Sequence, residues 1–241
     1  MIGGLKLLTT QNSKTIKGEK YGYKTFILYM APNTINDEGK NLCPMATKGC
    51  IKSCLYTAGM GKFTNVQKAR INKANYFIRD RVNFLNDLYF DILLAQVIAS
   101  RENLIPVFRL NGTTDIQWEN IKIRENKNVF ELFPDLQFYD YTKIVNRFNK
   151  KLPKNYSLVF SYSKEADYYT DIDNLCINLL KKDINIAVVF RNKLPKTYLG
   201  FPVVDGDETD LRFNDYTGVI IGLKAKGQAK KDTTGFVVDI E

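Results

Sequence analysis

Short apolar runs recur along the chain at 25–30, 104–110, 136–141, 157–160, 184–190, 201–204 and 219–223, and helical patterns fill several of the gaps. Runs of this length, rich in Val, Ile, Phe and Tyr, predict buried strands. The 3.6-residue period appears over 65–78, 82–99, a short stretch at 129–133 and 166–182, with Phe84, Leu88, Ile92 and Val97 marking a core face. Strand and helix alternating this often predict an α/β fold built on a parallel sheet with right-handed crossovers. No Gly/Ser/Pro-rich linker or fixed-period repeat divides the 241 residues. One α/β domain over 1–241 is therefore expected, with a cysteine-bearing loop at 41–61 and a basic closing segment at 224–241.

The polar residues at the strand ends favour a full or partial TIM-like barrel, with an open doubly wound sheet as the alternative. One run carries Arg109 and leads into Asn111 and Asp115, and the next ends in Asp140 and Lys143. Ser161 and Ser163 come after the fourth, and Asp205, Asp207 and Lys224 close the later ones. A parallel sheet or barrel gathers such residues at one mouth, where ligands bind. The expected ligand is small and anionic or polar, with Arg109 and the lysines countering negative charge. Taken singly, each residue is better explained by capping and turn chemistry; the repetition argues for a site.

The chain contains no histidine. That excludes Ser-His-Asp and Cys-His catalysis, the HExxH zinc helix and any imidazole acid or base. The most distinctive remaining chemistry is a cysteine triplet, Cys43, Cys50 and Cys54, in N-L-C-P-M-A-T-K-G-C-I-K-S-C-L-Y-T-A-G-M-G. If its last part is helical, Cys50 and Cys54 stand one turn apart on one face, while Pro44 and Gly49 let Cys43 fold back toward them. Clustered thiolates select iron–sulfur, zinc or cuprous ion. Three thiolates on a [4Fe–4S] cubane leave one iron open to another protein group, water or substrate. Zinc would need a fourth protein ligand, Cys176 or a carboxylate. Cys176 lies in an apolar helical stretch and is expected to pack in the core. Unligated redox-active thiols are the third alternative.

Lys plus Arg is 35 against 26 Asp plus Glu, a formal charge of +9. Such a balance favours an anionic partner or simply a solvated basic surface. It supports the alternative of a zinc-stabilised nucleic-acid-binding protein, with G-L-K-A-K-G-Q-A-K-K and Phe138-Tyr139-Asp140-Tyr141 as the contact segments. Strand aromatics are more often core. No run reaches the roughly 18–20 uninterrupted apolar residues of a membrane span, and the N-terminal segment lacks the pattern of a secretory signal. Crowded thiols suit a reducing compartment. A calcium loop at D-G-D-E-T-D lacks the EF-hand spacing.

On C-P-M-A-T-K-G-C-I-K-S-C-L-Y-T-A-G-M-G, F-R-L-N-G-T-T-D-I-Q-W, F-Y-D-Y-T-K, V-V-D-G-D-E-T-D-L-R-F and G-L-K-A-K-G-Q-A-K-K-D-T-T-G-F-V, the chain resembles the Gene product 88 family of bacteriophage proteins. The likeness implies a protein made in the cytoplasm of an infected bacterial host. The layout is also similar to radical S-adenosylmethionine enzymes, whose three cysteines lie after the first strand of a parallel barrel and hold a [4Fe–4S] cluster that binds S-adenosylmethionine. The spacing here is x6 and x3 instead of x3 and x2, Ser53 precedes the last cysteine where those enzymes carry an aromatic, and no Gly-Gly-Glu comes after the second strand. The expected partner of such a site is its small ligand or an electron carrier.

Overall fold

The computed structural model describes residues 4–10, 13–166 and 168–240. In chain order these form β1 (Leu8–Thr9), α1 (Ser13–Glu19), β2 (Tyr23–Leu28), α2 (Lys48–Lys52), α3 (Thr64–Arg79), α4 (Arg81–Arg101), β3 (Ile105–Arg109) and α5 (Val129–Leu132). Then come β4 (Gln137–Thr142), β5 (Tyr156–Ser161), α6 (Ile172–Leu180), β6 (Ile186–Phe190), β7 (Thr197–Tyr198), β8 (Phe201–Asp205), β9 (Ile220–Lys224) and β10 (Val237–Val238).

All ten strands belong to one sheet in the order β1-β2-β3-β4-β5-β6-β9-β8-β7, with β10 beside β6. Pairing is parallel from β2 through β6 to β9 and β8; the short β1 and β7 run antiparallel. The sheet is mostly parallel, as the alternating sequence predicts, but it does not close into a TIM barrel. Nor is it doubly wound at its centre, because β2 to β6 lie side by side in chain order with no reversal.

The register explains the layering. Phe26 is opposite Phe108, Phe108 opposite Phe138, and Phe138 opposite Tyr156, so these rings share one face. There they bury with Phe77 of α3 and Phe84, Leu88, Ile92 and Ala95 of α4. Each such ring contributes about 1.5–3 kcal/mol by leaving water. Phe160, Ile186, Val188 and Ile220 continue the face under Cys176, Leu179 and Leu180 of α6. The opposite face carries Val107 and Tyr139 under Leu211, then Val159, Ala187 and Ile221. α1 packs beside β2, where Gly18 lies against Leu211.

Two expectations are corrected. Val97 is 42% exposed: five residues after Ile92, it is turned about 140° from that buried position at 100° per residue. The last long helix starts at Ile172, not at Ala166, because the Asp171 carboxylate caps the Asn174 amide there. α4 is long and apolar enough in composition to cross a bilayer. Its buried face is committed to the sheet, and its Asp91 accepts the amides of Lys6, Leu7 and Leu8 at 2.7–3.0 Å.

Candidate metal centre

The cysteine loop lies across the carboxyl edge of the sheet, and capping chemistry sets the direction of each thiol. Thr47 caps α2 by accepting the Cys50 amide at 3.2 Å. The helix ends at Lys52, and Ser53 turns the chain out of it. Cys54 is therefore not one helical turn from Cys50, as the spacing predicts. It has an extended backbone, starts a 3-10 turn at Leu55–Thr57, and accepts the Tyr56 amide on Sγ at 3.4 Å. Cys43 Sγ accepts the Asn33 amide at 3.4 Å and faces the Thr113 carbonyl, just beyond β3, at 3.5 Å.

The thiols are free. Burial pushes Cys43 up to about 12 and Cys54 up to about 11, and raises Cys50 as well. Cys43 also feels the charges of Cys54 and Cys50, and Cys54 that of Cys50, so the three share one electrostatic neighbourhood. Among the described residues no group of three or more His, Cys, Asp or Glu side chains converges closely enough to hold a metal ion. Two cations flank the group. Lys143 acts on Cys50, and Arg70 acts on Cys54. Lys143 Nζ donates to the Ser161 and Tyr162 carbonyls at 3.1 and 3.4 Å, and burial pushes its pKa down. Arg70 lies over the Tyr29 ring at 4.5 Å and donates to the Leu55 carbonyl.

The segment after β5 holds the loop in place. The Gly49 amide donates to Glu165 Oε1 at 2.6 Å, and the Thr47 and Ser163 hydroxyls are 3.2 Å apart. Gly49 is pressed against Thr234, Glu165 and Phe236, leaving no room for a Cβ.

The strand-end polar residues form three groups, not one mouth. Asn111, Asp115, Asp140 and Lys143 belong to the first, nearest the cysteines. Asp140 Oδ1 accepts the Asn111 amide at 2.8 Å, and its other oxygen accepts Tyr156 at 3.1 Å. Asp115 accepts Thr142 Oγ1 and the Lys143 amide, both at 2.8 Å. Arg147 Nη1 reaches Asp115 at 3.1 Å, and its other nitrogens hold Glu119 at 2.8 Å. Burial raises the carboxyls of Asp115 and Asp140, the latter to about 7.

Arg109 points to the opposite face, where its guanidinium pairs with Asp210 at 3.1 Å and lies 4.7 Å over Tyr141, with Nε making no hydrogen bond among the described residues. Side-chain alternation along β3 and β4 separates it from Asp140. Asp205, Asp207 and Lys224 form the third group at the ends of β8 and β9. Asp207 accepts the Lys224 amide at 3.0 Å and Lys226 Nζ at 2.7 Å, while Lys224 Nζ is 3.9 Å from Asp205. Sequence reasoning missed Arg70, Arg147, Glu165 and Asp210. Only the tertiary fold pairs them, so no local spacing announced them. Cys176 is fully buried in α6, as expected, and takes no part in the thiol group's hydrogen bonds. Phe138 and Tyr139 are also fully buried, so that strand presents neither ring to a base.

A family model described as Gene product 88 matches residues 6–240. No curated protein and no solved structure shows significant similarity to the chain. The likeness to radical S-adenosylmethionine enzymes gains no support from these comparisons.

Proposed function

The chain belongs to the Gene product 88 family, and from that premise we propose that it is an iron–sulfur protein whose Cys43, Cys50 and Cys54 hold a [4Fe–4S] cluster. The observation that supports this reading is the grouping of three free, part-buried thiols from one loop, each within electrostatic reach of another. A cubane binds each thiolate through a different iron, so three cysteines leave the fourth iron to another ligand. The donors are soft, as iron–sulfur ligation requires.

The surroundings fit such a group. Amides of Asn33 and Tyr56 already point at Cys43 and Cys54 sulfurs, and amide hydrogen bonds to sulfur stabilise the thiolate. Lys143 and Arg70 offset negative charge at Cys50 and Cys54. When bound, the cluster would supply an electron-accepting centre with one iron open to a non-cysteine ligand. Asp115 and Lys143 lie in the electrostatic neighbourhood of Cys50. Sequential winding of β2 to β6 with α3 to α6 on one face supports reading the sheet as a partial barrel whose mouth the cysteine loop covers. The site acts in the cytoplasm of the infected host, on a small polar ligand or with an electron-carrier partner.

The test is anaerobic expression followed by iron, zinc and acid-labile sulfide analysis and by EPR of the reduced protein, alongside Cys50→Ala. Iron and sulfide in comparable amounts, lost in the variant, are expected. A colourless, iron-free protein made with ample iron, or one loaded with zinc, overturns the proposal.

A further inference from the structure

A separate cleft of about 330 Å³ opens at the carboxyl ends of β6 and β9, lined by Arg191, Asn192, Lys224, Ala225 and Lys230. We propose that it binds a small phosphate-bearing ligand. Parallel α/β sheets place ligands at this edge of their strands, and the lining chemistry selects the class. Every charged residue in the lining is a cation, and 224–231 holds four lysines and no acid. A multiply charged phosphate satisfies several such donors at once.

The cations sit on a fixed scaffold. Arg191 is held by Asp239 at 2.6 Å, and donates to the Lys230 and Asp232 carbonyls at 2.8 and 2.7 Å. These bonds, with Ala229 buried beneath, fix the turn that carries Lys230. Asp232 then ties the turn into β10 by accepting the Val237 amide at 3.0 Å.

The lysine heads of the lining are loosely held. Lys226 is satisfied by Asp207 at 2.7 Å, but Lys224 Nζ stands 3.9 Å from Asp205, and Lys230 has no ion pair among the described residues. The backbone amide of Lys224, not its side chain, makes its close contact with Asp207. A short cleft with three cations suits a small molecule; nucleic acid requires a longer basic track.

This inference does not rest on the cluster, so the as-isolated protein serves for its test. Calorimetry at low ionic strength would use inorganic pyrophosphate and a single-stranded oligonucleotide, with Lys224→Gln/Lys230→Gln and, as a charge-matched control, Lys150→Gln/Lys151→Gln. Pyrophosphate is expected to bind the parent protein and the control alike. The cleft variant, with unchanged unliganded Tm, is expected to bind roughly tenfold more weakly per lysine removed, or about a hundredfold in all. Three results overturn the proposal: no pyrophosphate binding, equal weakening in the control, or oligonucleotide binding that pyrophosphate does not displace.

Discussion

The Gly49 amide donates to the Glu165 carboxylate at 2.6 Å, joining positions 116 residues apart. That bond fastens the cysteine helix to the segment after β5. The same glycine has no space for a side chain, since an added Cβ would come within 2.6 Å of Glu165 Oε1 and Phe236 Cβ. Gly49→Ala is therefore expected to push α2 off the sheet edge. Overpacking of this kind costs about 1–3 kcal/mol. Bound iron should fall with it while Cys43, Cys50 and Cys54 remain intact. Full iron and an unaltered denaturation midpoint in this variant would show that the loop is not held there.

Arg147 is the buried cation for Asp115 and Glu119 and also donates to the Tyr156 hydroxyl at 2.8 Å. Arg147→Met leaves two carboxylates without their counter-charge, at a cost of about 3–5 kcal/mol. Urea unfolding measures it. A loss below about 1 kcal/mol would mean that water or rearrangement replaces the guanidinium.

Asp140 lends the fold a pH dependence. Burial raises its carboxyl to about 7, against about 3.9 in an unfolded chain. The folded state thus binds this proton more tightly, so the contribution is fullest below about pH 4 and is lost as pH climbs to about 7. Asp140→Asn should flatten the stability profile in that window, whatever its effect on absolute stability. Identical slopes for parent and variant would assign the dependence to other groups.

Cys176 separates packing from ligation. It is fully buried between α6 and β6. Cys176→Ala should cost about 1 kcal/mol, as for deleting a small buried group, and leave iron content at the parent value. Iron lost to the same extent as in Cys50→Ala would make it a ligand.

Local pattern was sufficient wherever one residue's chemistry decided the outcome. The apolar runs at 104–110, 136–141 and 219–223 became β3, β4 and β9, since continuous Val, Ile and Phe suits strands covered on both faces. Three of the four core positions expected in α4, Phe84, Leu88 and Ile92, followed from its period. Where a single capping contact competed with periodicity, the pattern misled: Asp171 delayed α6, and Ser53 ended α2 before Cys54.

The α/β character, the longer strands, the lack of imidazole chemistry and the crowding of three thiols in one loop were legible in the amino-acid order alone, while the two-residue strands β1 and β7 were not. The legible features each depend on residues close together in the chain. That the sheet stays open, and that Arg109 and Asp140 face opposite ways, emerged only on folding. So did the choice of Lys143, Arg70 and Glu165 as neighbours of the cysteine loop. These outcomes depend on strand order and register, which bring together groups that no local spacing relates.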